Sequence, residues 1–288
     1  MASYKTDVIK QIFEAKLDPV SGKLRETIVT LDEVSAAITA YNSKWGSDHS
    51  TKNPANFFKD FIRSRKAGNA NWPKSVLDAG YTGRQLTEGG SCFEFAPLAN
   101  GQTEAFPPVD FAQPSIKTPR YQIESVSLPL ASRRLGRKDE PWMIQVIARL
   151  RIVETHFSLS STRDIKQLDL LQLNVKLSGT EIDALFLAQE ETGIEQYEEV
   201  IVTCEAKVGR DDILEDQILK QAKAPFKMKK ISQNRVIPLA VKCVGPSTIF
   251  VVEFNELTRD GHEGVKSLTV AAESLFEIKP PVPGICQN

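Results

Sequence analysis

The chain has 288 residues, 41% hydrophobic and 25% charged, and its 36 lysines and arginines stand against 37 aspartates and glutamates for a net charge of −1. Those proportions belong to an ordinary soluble globular protein, and the even charge balance excludes a globally basic nucleic-acid binder, so any such partner must be met by local charge. At ~150 residues per domain the length fits roughly two domains. No apolar run reaches the ~20 residues that span a bilayer, and Lys5, Asp7, Lys10 and Glu14 interrupt the stretch where a signal peptide would need an apolar core. Cys92, Cys204, Cys243 and Cys286 form no C-x-x-C pair, which disfavours a zinc cluster and a disulfide framework and fits a reduced, cytoplasmic compartment.

In chain order, residues 4–17 set Val8, Ile9, Ile12, Phe13 and Leu17 on one helical stripe. A second helix opens at Thr30 or Leu31, with Asp32 and Glu33 in its first turn and Leu31, Val34, Ala37, Ile38 and Tyr41 as its apolar face. Asn53-Pro54 starts a third, with Phe57, Phe58, Phe61 and Ile62 facing inward and Lys59, Arg63, Arg65 and Lys66 forming a cationic remainder. Residues 80–86, including Arg84, and 92–95 flank Gly89-Gly90 and read as a β-hairpin. Three helices followed by a hairpin resemble a winged helix, which implies a third helix in the DNA major groove and a hairpin on the backbone. The same residues also fit a small helical domain with a solvated basic face.

Prolines 97, 107, 108, 114 and 119 mark a connector. They divide the chain into a first domain, 1–105, a linker and junction strand, 106–130, and a second domain, 131–288. Residues 121–130 read as a strand across that junction, and Arg133-Arg134-Leu135-Gly136-Arg137-Lys138 as a cationic loop able to meet phosphates or simply to be solvated. From Pro141 a helical pattern runs through Phe157. Strands follow at 167–177, 180–187 and 200–207, the last two separated by an acidic turn from Gln189 to Glu199. Asp211 and Asp212 begin a helix ending before Pro225, and 235–244 and 248–257 are two further apolar strands. The order predicts an α/β fold in which helices flank a central mixed sheet.

One stretch in that order needs a chemical explanation. The apolar run Val200–Cys204 ends in Glu205-Ala206-Lys207, so charges sit at the end of a buried strand. Glu205 and Lys207 are two apart and share a strand face. If the strand carrying Asp183 lies alongside, two carboxylates converge on one ammonium. Carboxylates with a backbone carbonyl suit a magnesium ion, and a neighbouring lysine would orient water and offset charge on a phosphodiester. A salt-bridged pair of structural residues is the other reading. Lys220, Lys223, Lys227, Lys229, Lys230 and Arg235 follow the strand as a phosphate-binding cluster or a solvated lysine face. G-x-S-x-G, H-E-x-x-H, Walker A and dinucleotide glycine motifs are absent, and His49, His156 and His262 lack ligand spacing.

An acidic strand residue, then Glu-x-Lys, then a helix resembles the PD-(D/E)xK nuclease superfamily, best known from type II restriction endonucleases. The resemblance spans roughly residues 141–257. It implies a restriction endonuclease-like fold, Asp183 and Glu205 as magnesium ligands with the Ala206 carbonyl, and Lys207 as the motif lysine. It also implies an added ligand on the preceding helix, Glu154, with Glu181 on the Asp183 strand as its competitor, and a polar glutamine on the following helix, Gln217. Ile182 stands where the motif proline would be. The implied activity is magnesium-dependent hydrolysis of double-stranded DNA at a short specific sequence by a homodimer. It would belong to a restriction-modification system whose cognate methyltransferase acts separately. A DNA-binding regulator with a non-catalytic nuclease-like domain, and a structure-specific repair or transposon nuclease, are the alternatives.

Overall fold

In the computed structural model, which describes residues 3–62, 65–86, 89–107, 111, 113–208 and 212–285, the chain divides into two units, Met1–Val109 and Asp110–Asn288. The first begins with α1 (Tyr4–Lys16), started by the Ser3 hydroxyl, which accepts the Lys5 N–H at 3.3 Å. Its predicted stripe of Val8, Ile9, Ile12 and Phe13 is buried. Strand β1 (Ile28–Thr30) leads into α2 (Leu31–Trp45), where Thr30 and Glu33 form a capping box and Gly46 closes the helix in the left-handed conformation.

The third helix departs from expectation. In place of one helix from Asn53, a 3-10 turn at Pro54–Asn56 precedes α3 (Lys59–Ile62) and α4 (Arg65–Asn71). The chain folds back so closely that a Cβ on Gly68 would lie 1.9 Å from the Phe61 carbonyl oxygen. In a continuous helix those positions would be roughly 10 Å apart along the axis. After α5 (Lys74–Asp78), strands β2 (Tyr81–Gln85) and β3 (Ser91–Pro97) form the predicted antiparallel hairpin. Gly89 and Gly90 supply its positive φ angles, 62° and 78°. β1 pairs with β3, giving a three-stranded sheet of order β1-β3-β2. Phe58, Phe61, Trp72, Phe93 and Phe95 pack together beneath it.

The second unit carries β4 (Arg120–Glu124), α6 (Leu130–Arg134), α7 (Glu140–Arg149), α8 (Ile152–Leu159), β5 (Ile165–Leu177), β6 (Thr180–Gly193) and β7 (Gln196–Lys207). Then come α9 (Glu215–Lys223), β8 (Arg235–Gly245), β9 (Thr248–Phe254), β10 (Leu257–Thr258) and β11 (Val270–Lys279). They build one eight-stranded sheet of order β4-β11-β9-β8-β7-β6-β5, with β10 on β8. It is mixed: β7–β8 and β11–β4 are parallel and the other pairs antiparallel. Helices α7 and α8 cover one face through Trp142, Ile147 and Val153 against Val202, Cys204 and Leu239. Helix α9 covers part of the other, with Leu219 and Ala222 against Ile182, Leu185 and Ile201.

Several sequence expectations change here. The helix expected to run from Pro141 through Phe157 is two, broken where Arg151 takes a φ of 53°. The junction strand is β4, which pairs with β11 at the edge of the sheet. The acidic turn from Gln189 to Glu199 is mostly strand, because β6 and β7 pair as far as Gly193 and Gln196. β11 lies where the sequence predicts no strand, yet it completes the sheet between β4 and β9. Cys92 and Cys204 are free and buried, whereas Cys243 is disulfide-bonded, against the expectation of a fully reduced set. No helix of the described residues is long and apolar enough to cross a membrane.

Replacing Gly68 by alanine is expected to destabilise the first unit by ~1–3 kcal/mol, the cost of over-packing against rigid backbone. A lower urea midpoint read by tryptophan fluorescence checks this. An unchanged midpoint would mean that α4 does not lie on Phe61.

Candidate functional site

Strand alternation sets the site. In β7, Val200, Val202, Cys204 and Ala206 enter the core beneath α7 and α8, while Ile201 enters the core on the α9 side. Glu205 and Lys207 therefore face the α9 side. The β6–β7 ladder ends at Ala184↔Cys204, so the next position sets Asp183 opposite Glu205. The structure joins them: the Ala206 N–H donates to Asp183 Oδ2 at 2.7 Å, and the Asp183 and Glu205 carboxyls are close enough to act on each other's protonation. Lys207 Nζ forms an ion pair with Glu205 Oε1 and lies 3.3 Å from the Ala206 carbonyl oxygen.

Glu205 is wholly buried. Burial first, and then the Asp183 charge, push its carboxyl up to about 7, against the pull of Lys207 and of hydrogen bonds from Lys207 and Gln221. Asp183 is also raised. Burial is the main cause and the Glu181 charge adds to it, opposed by the Ala206 N–H, Lys207 and the Glu205 hydrogen bond. For Lys207 burial works against the charge, but Glu205, Asp183 and Glu140 outweigh it and its pKa rises. Two partly compensated carboxylates thus share one ammonium in a site that resists negative charge.

Gln221, one turn beyond the expected Gln217, is the α9 residue that reaches the site. It is 1% exposed and donates to the Glu181 carbonyl oxygen at 2.9 Å and to Glu205 Oε2. Its own Oε1, like the hydroxyl of Thr203, is buried with no hydrogen-bond partner among the described residues. Gln217 is half-buried on the same helix and makes no side-chain contact with Glu205 among those described. Glu154 and Glu181 stand in different surroundings: Glu154 Oε2 is buried with no hydrogen-bond partner among the described residues, and burial raises its carboxyl. Glu181 is close enough to raise the Asp183 pKa, whereas Glu154, on α8, pairs with Arg151 at 3.4 Å.

Two residues join the site that sequence patterning does not single out. Glu140, the first residue of α7, lies within electrostatic reach of Lys207. Lys242 stands beside Lys207 in the parallel β7–β8 register, is 3% exposed, and has its Nζ 3.6 Å from Asp212 Oδ1. Lys242 has the same signal as Glu205, a charge inside an apolar run. Glu140 has none, since an acid in a first turn reads as a dipole partner. No group of three or more His, Cys, Asp or Glu side chains able to hold a metal occurs among the described residues.

The expected cations are dispersed. On the first unit, Lys59 lies on α3, Arg65 and Lys66 on α4, and Arg84 on β2, where it pairs with Glu94 across the hairpin; Arg63 lies outside the described residues, as does Asp211. On the second, Lys223 donates to the Val265 carbonyl oxygen at 2.7 Å and Lys227 is exposed. Arg235 is not beside the site. It sits at the opposite end of the sheet in a network with Glu190, Glu198 and Glu256. Arg163 joins that network through Glu190 and Glu256 and links it to Glu253, which meets buried His156.

Compared with protein-family models, with curated proteins and with solved structures, the chain finds no match.

Because the Glu205 pKa is raised from 4.5 to about 7, keeping it ionised opposes folding. Stability is lost as pH rises from the unfolded value through the folded one. In the presence of a chelator, Glu205→Gln is expected to raise the melting temperature at pH 8, with the gain shrinking toward pH 5. A gain that is the same at both values would contradict the buried, raised carboxyl.

Proposed function

We propose that this chain is a magnesium-dependent endonuclease of the PD-(D/E)xK type that hydrolyses double-stranded DNA at a short specific sequence, as type II restriction enzymes do. The observation that carries the reading is the cross-strand pair Asp183–Glu205, with Lys207 bonded to Glu205 and the Ala206 N–H bonded to Asp183. An acid from one strand and Glu-x-Lys from the next have met at one sheet end, on the face where α9 adds Gln221.

Oxygen donors of this type are the ones magnesium takes. Asp183 and Glu205 are hard oxygen donors whose charges are disfavoured chiefly by burial, with the Glu181 charge adding for Asp183 and the Asp183 charge for Glu205, and a divalent cation would relieve that penalty. The Ala206 carbonyl would add to them, and Glu181, whose charge acts on Asp183, is a further acid on the same strand. Bound there, the ion would act as a Lewis acid toward the phosphodiester and lower the pKa of a coordinated water. The protein's own groups do the rest. Lys207 holds a protonated ammonium where negative charge accumulates on the phosphorus oxygens and where an attacking water must be oriented. Gln221 fixes the Glu205 carboxylate by its Oε2, so that the oxygens keep their direction as charge shifts.

Recognition is assigned to the first unit. Its order of helix, strand, helices and hairpin, with β1 paired to β3, supports a winged-helix-like reader. Lys59, Arg65, Lys66 and Arg84 are its candidate DNA contacts, joined by Lys223 and Lys227 on the second unit. A palindromic target would be met by a homodimer, since two-fold sites match two-fold proteins.

With plasmid DNA and magnesium, the unaltered chain is expected to give discrete fragments. Asp183→Asn and Glu205→Gln should leave none, and Lys207→Ala should slow cutting by about 10²-fold or more. DNA retention in a gel shift should persist in all three. Binding without cutting by the unaltered chain would favour a regulator, and undiminished cutting by the variants would remove the site assignment.

A further inference from the structure

We infer that the cationic segment 133–138 is a built phosphate-binding wall of the same site, taking the sugar-phosphate backbone of duplex DNA. The inference rests on the nuclease reading for its place in a reaction, but the observations behind it are separate.

The first is position. The segment runs directly into α7, where Asp139 accepts the Trp142 N–H at 3.1 Å and so starts the helix. Glu140 follows as the first residue of α7, the helix that packs over β7, the strand ending in Glu205 and Lys207. Only Asp139 separates Lys138 from that acid in sequence.

The second is rigidity. A Cβ on Gly136 would lie 2.4 Å from the Pro283 carbonyl oxygen, and one on Gly284, at φ 85°, would lie 2.1 Å from that of Arg137. The Trp142 indole N–H donates to the same Pro283 oxygen at 3.0 Å. The backbone is thus clamped between α7 and the strap at Pro283 and Gly284, in a way that glycines at both contacts permit. A loop that only solvates its charges has no need of such a clamp.

The third is what the clamp presents. Arg134 and Lys138 are exposed, and the Arg137 side chain is 73% exposed although it reaches Asp139 at 2.5 Å. Behind them, hydrogen bonds from Ser127 first, and then the Arg133 charge, hold the Glu124 pKa down. Arg133 also keeps a buried Nε without a partner among the described residues. Leu135, 77% exposed, stands among these cations with no core to enter. Arg133, Arg134, Arg137 and Lys138 against Glu124, Asp139 and Glu140 still leave a net positive strip on a fixed backbone. Guanidinium groups suit phosphate oxygens in bidentate fashion, and a fixed backbone lowers the ordering cost of binding.

The test uses the full chain carrying Asp183→Asn, so that DNA is not consumed, and measures anisotropy of a labelled duplex across a salt series. Adding Arg134→Gln, Arg137→Gln and Lys138→Gln is expected to weaken binding by at least about 10-fold. The slope of log affinity against log salt should fall by about 1 for each phosphate that is no longer engaged. An equal charge change at exposed Lys117, Arg149 and Lys176, each to Gln, should move neither value. Arg134→Lys with Arg137→Lys should keep the slope, which separates charge from folding. If the Asp183→Asn chain binds and the triple substitution leaves affinity and slope unchanged, the inference falls while the nuclease reading stands. If the unaltered chain neither binds nor cuts duplex DNA, both fall.

Discussion

The hydrogen bond from the Ala206 N–H to the Asp183 carboxylate is the contact on which the candidate site depends. It fixes one strand against the next at the point where their ladder ends, and so decides that Asp183 and Glu205 share a patch of sheet. A slip of one residue would turn Glu205 and Lys207 into the core beneath α7 and send Ala206 and Cys204 to the α9 side. Register is secure because both faces of β7 are buried: Val200, Val202 and Cys204 on one side and Ile201 on the other are each under 4% exposed. The apolar sequence of the strand therefore holds its terminal charges in place.

The two ends of these strands use charge in opposite ways. At one, Arg163 and Arg235 make multiple contacts to Glu190, Glu198 and Glu256, among them Arg163 Nη1 to Glu256 Oε2 at 2.8 Å and Arg235 Nη1 to Glu198 Oε2 at 2.7 Å. For Glu256, burial pushes the pKa up, but the two arginines outweigh it and hold it low. At the other end Asp183 and Glu205 have chiefly Lys207 to offset them, and both are raised. A satisfied network stabilises a fold; an under-compensated one leaves room for a ligand to do so. The far network ties loops and strands together, and the near pair stores an unmet demand for positive charge. This contrast separates a structural cluster from a candidate site, although both are acid–base clusters at the end of a sheet.

Much of this was legible in the amino-acid order. Alternation and apolar runs point to β5 through β9 and the stripe of α1, and the first-turn acids Asp32 and Glu33 to the start of α2, because those signals arise from burial of one face and from local charge at a helix end. The buried charge of Glu205 and the acid upstream also point to each other. What failed was whatever depends on a neighbour distant in sequence. Gln221 replaces Gln217 because the rotation of α9 on the sheet selects which glutamine faces inward. Arg235 left the expected cation cluster because β8 begins at the sheet end where Glu190 and Glu198 stand opposed. The third helix broke because Gly68 permits an approach to Phe61 that no local pattern announces.

By itself the sequence determined that this is a two-unit α/β chain, with a strand ending in Glu-x-Lys and an acid on the strand before it. Those are properties of periodicity, which a linear string carries in full. Only the tertiary structure decided that Lys242 lies beside Lys207, that Glu140 comes within reach of it at the end of the sheet, and that the Glu181 charge acts on Asp183. The parallel pairing of β7 with β8 and the seat of α7 bring those groups together across long chain separations. The sequence names the charges; the register and helix packing choose their partners.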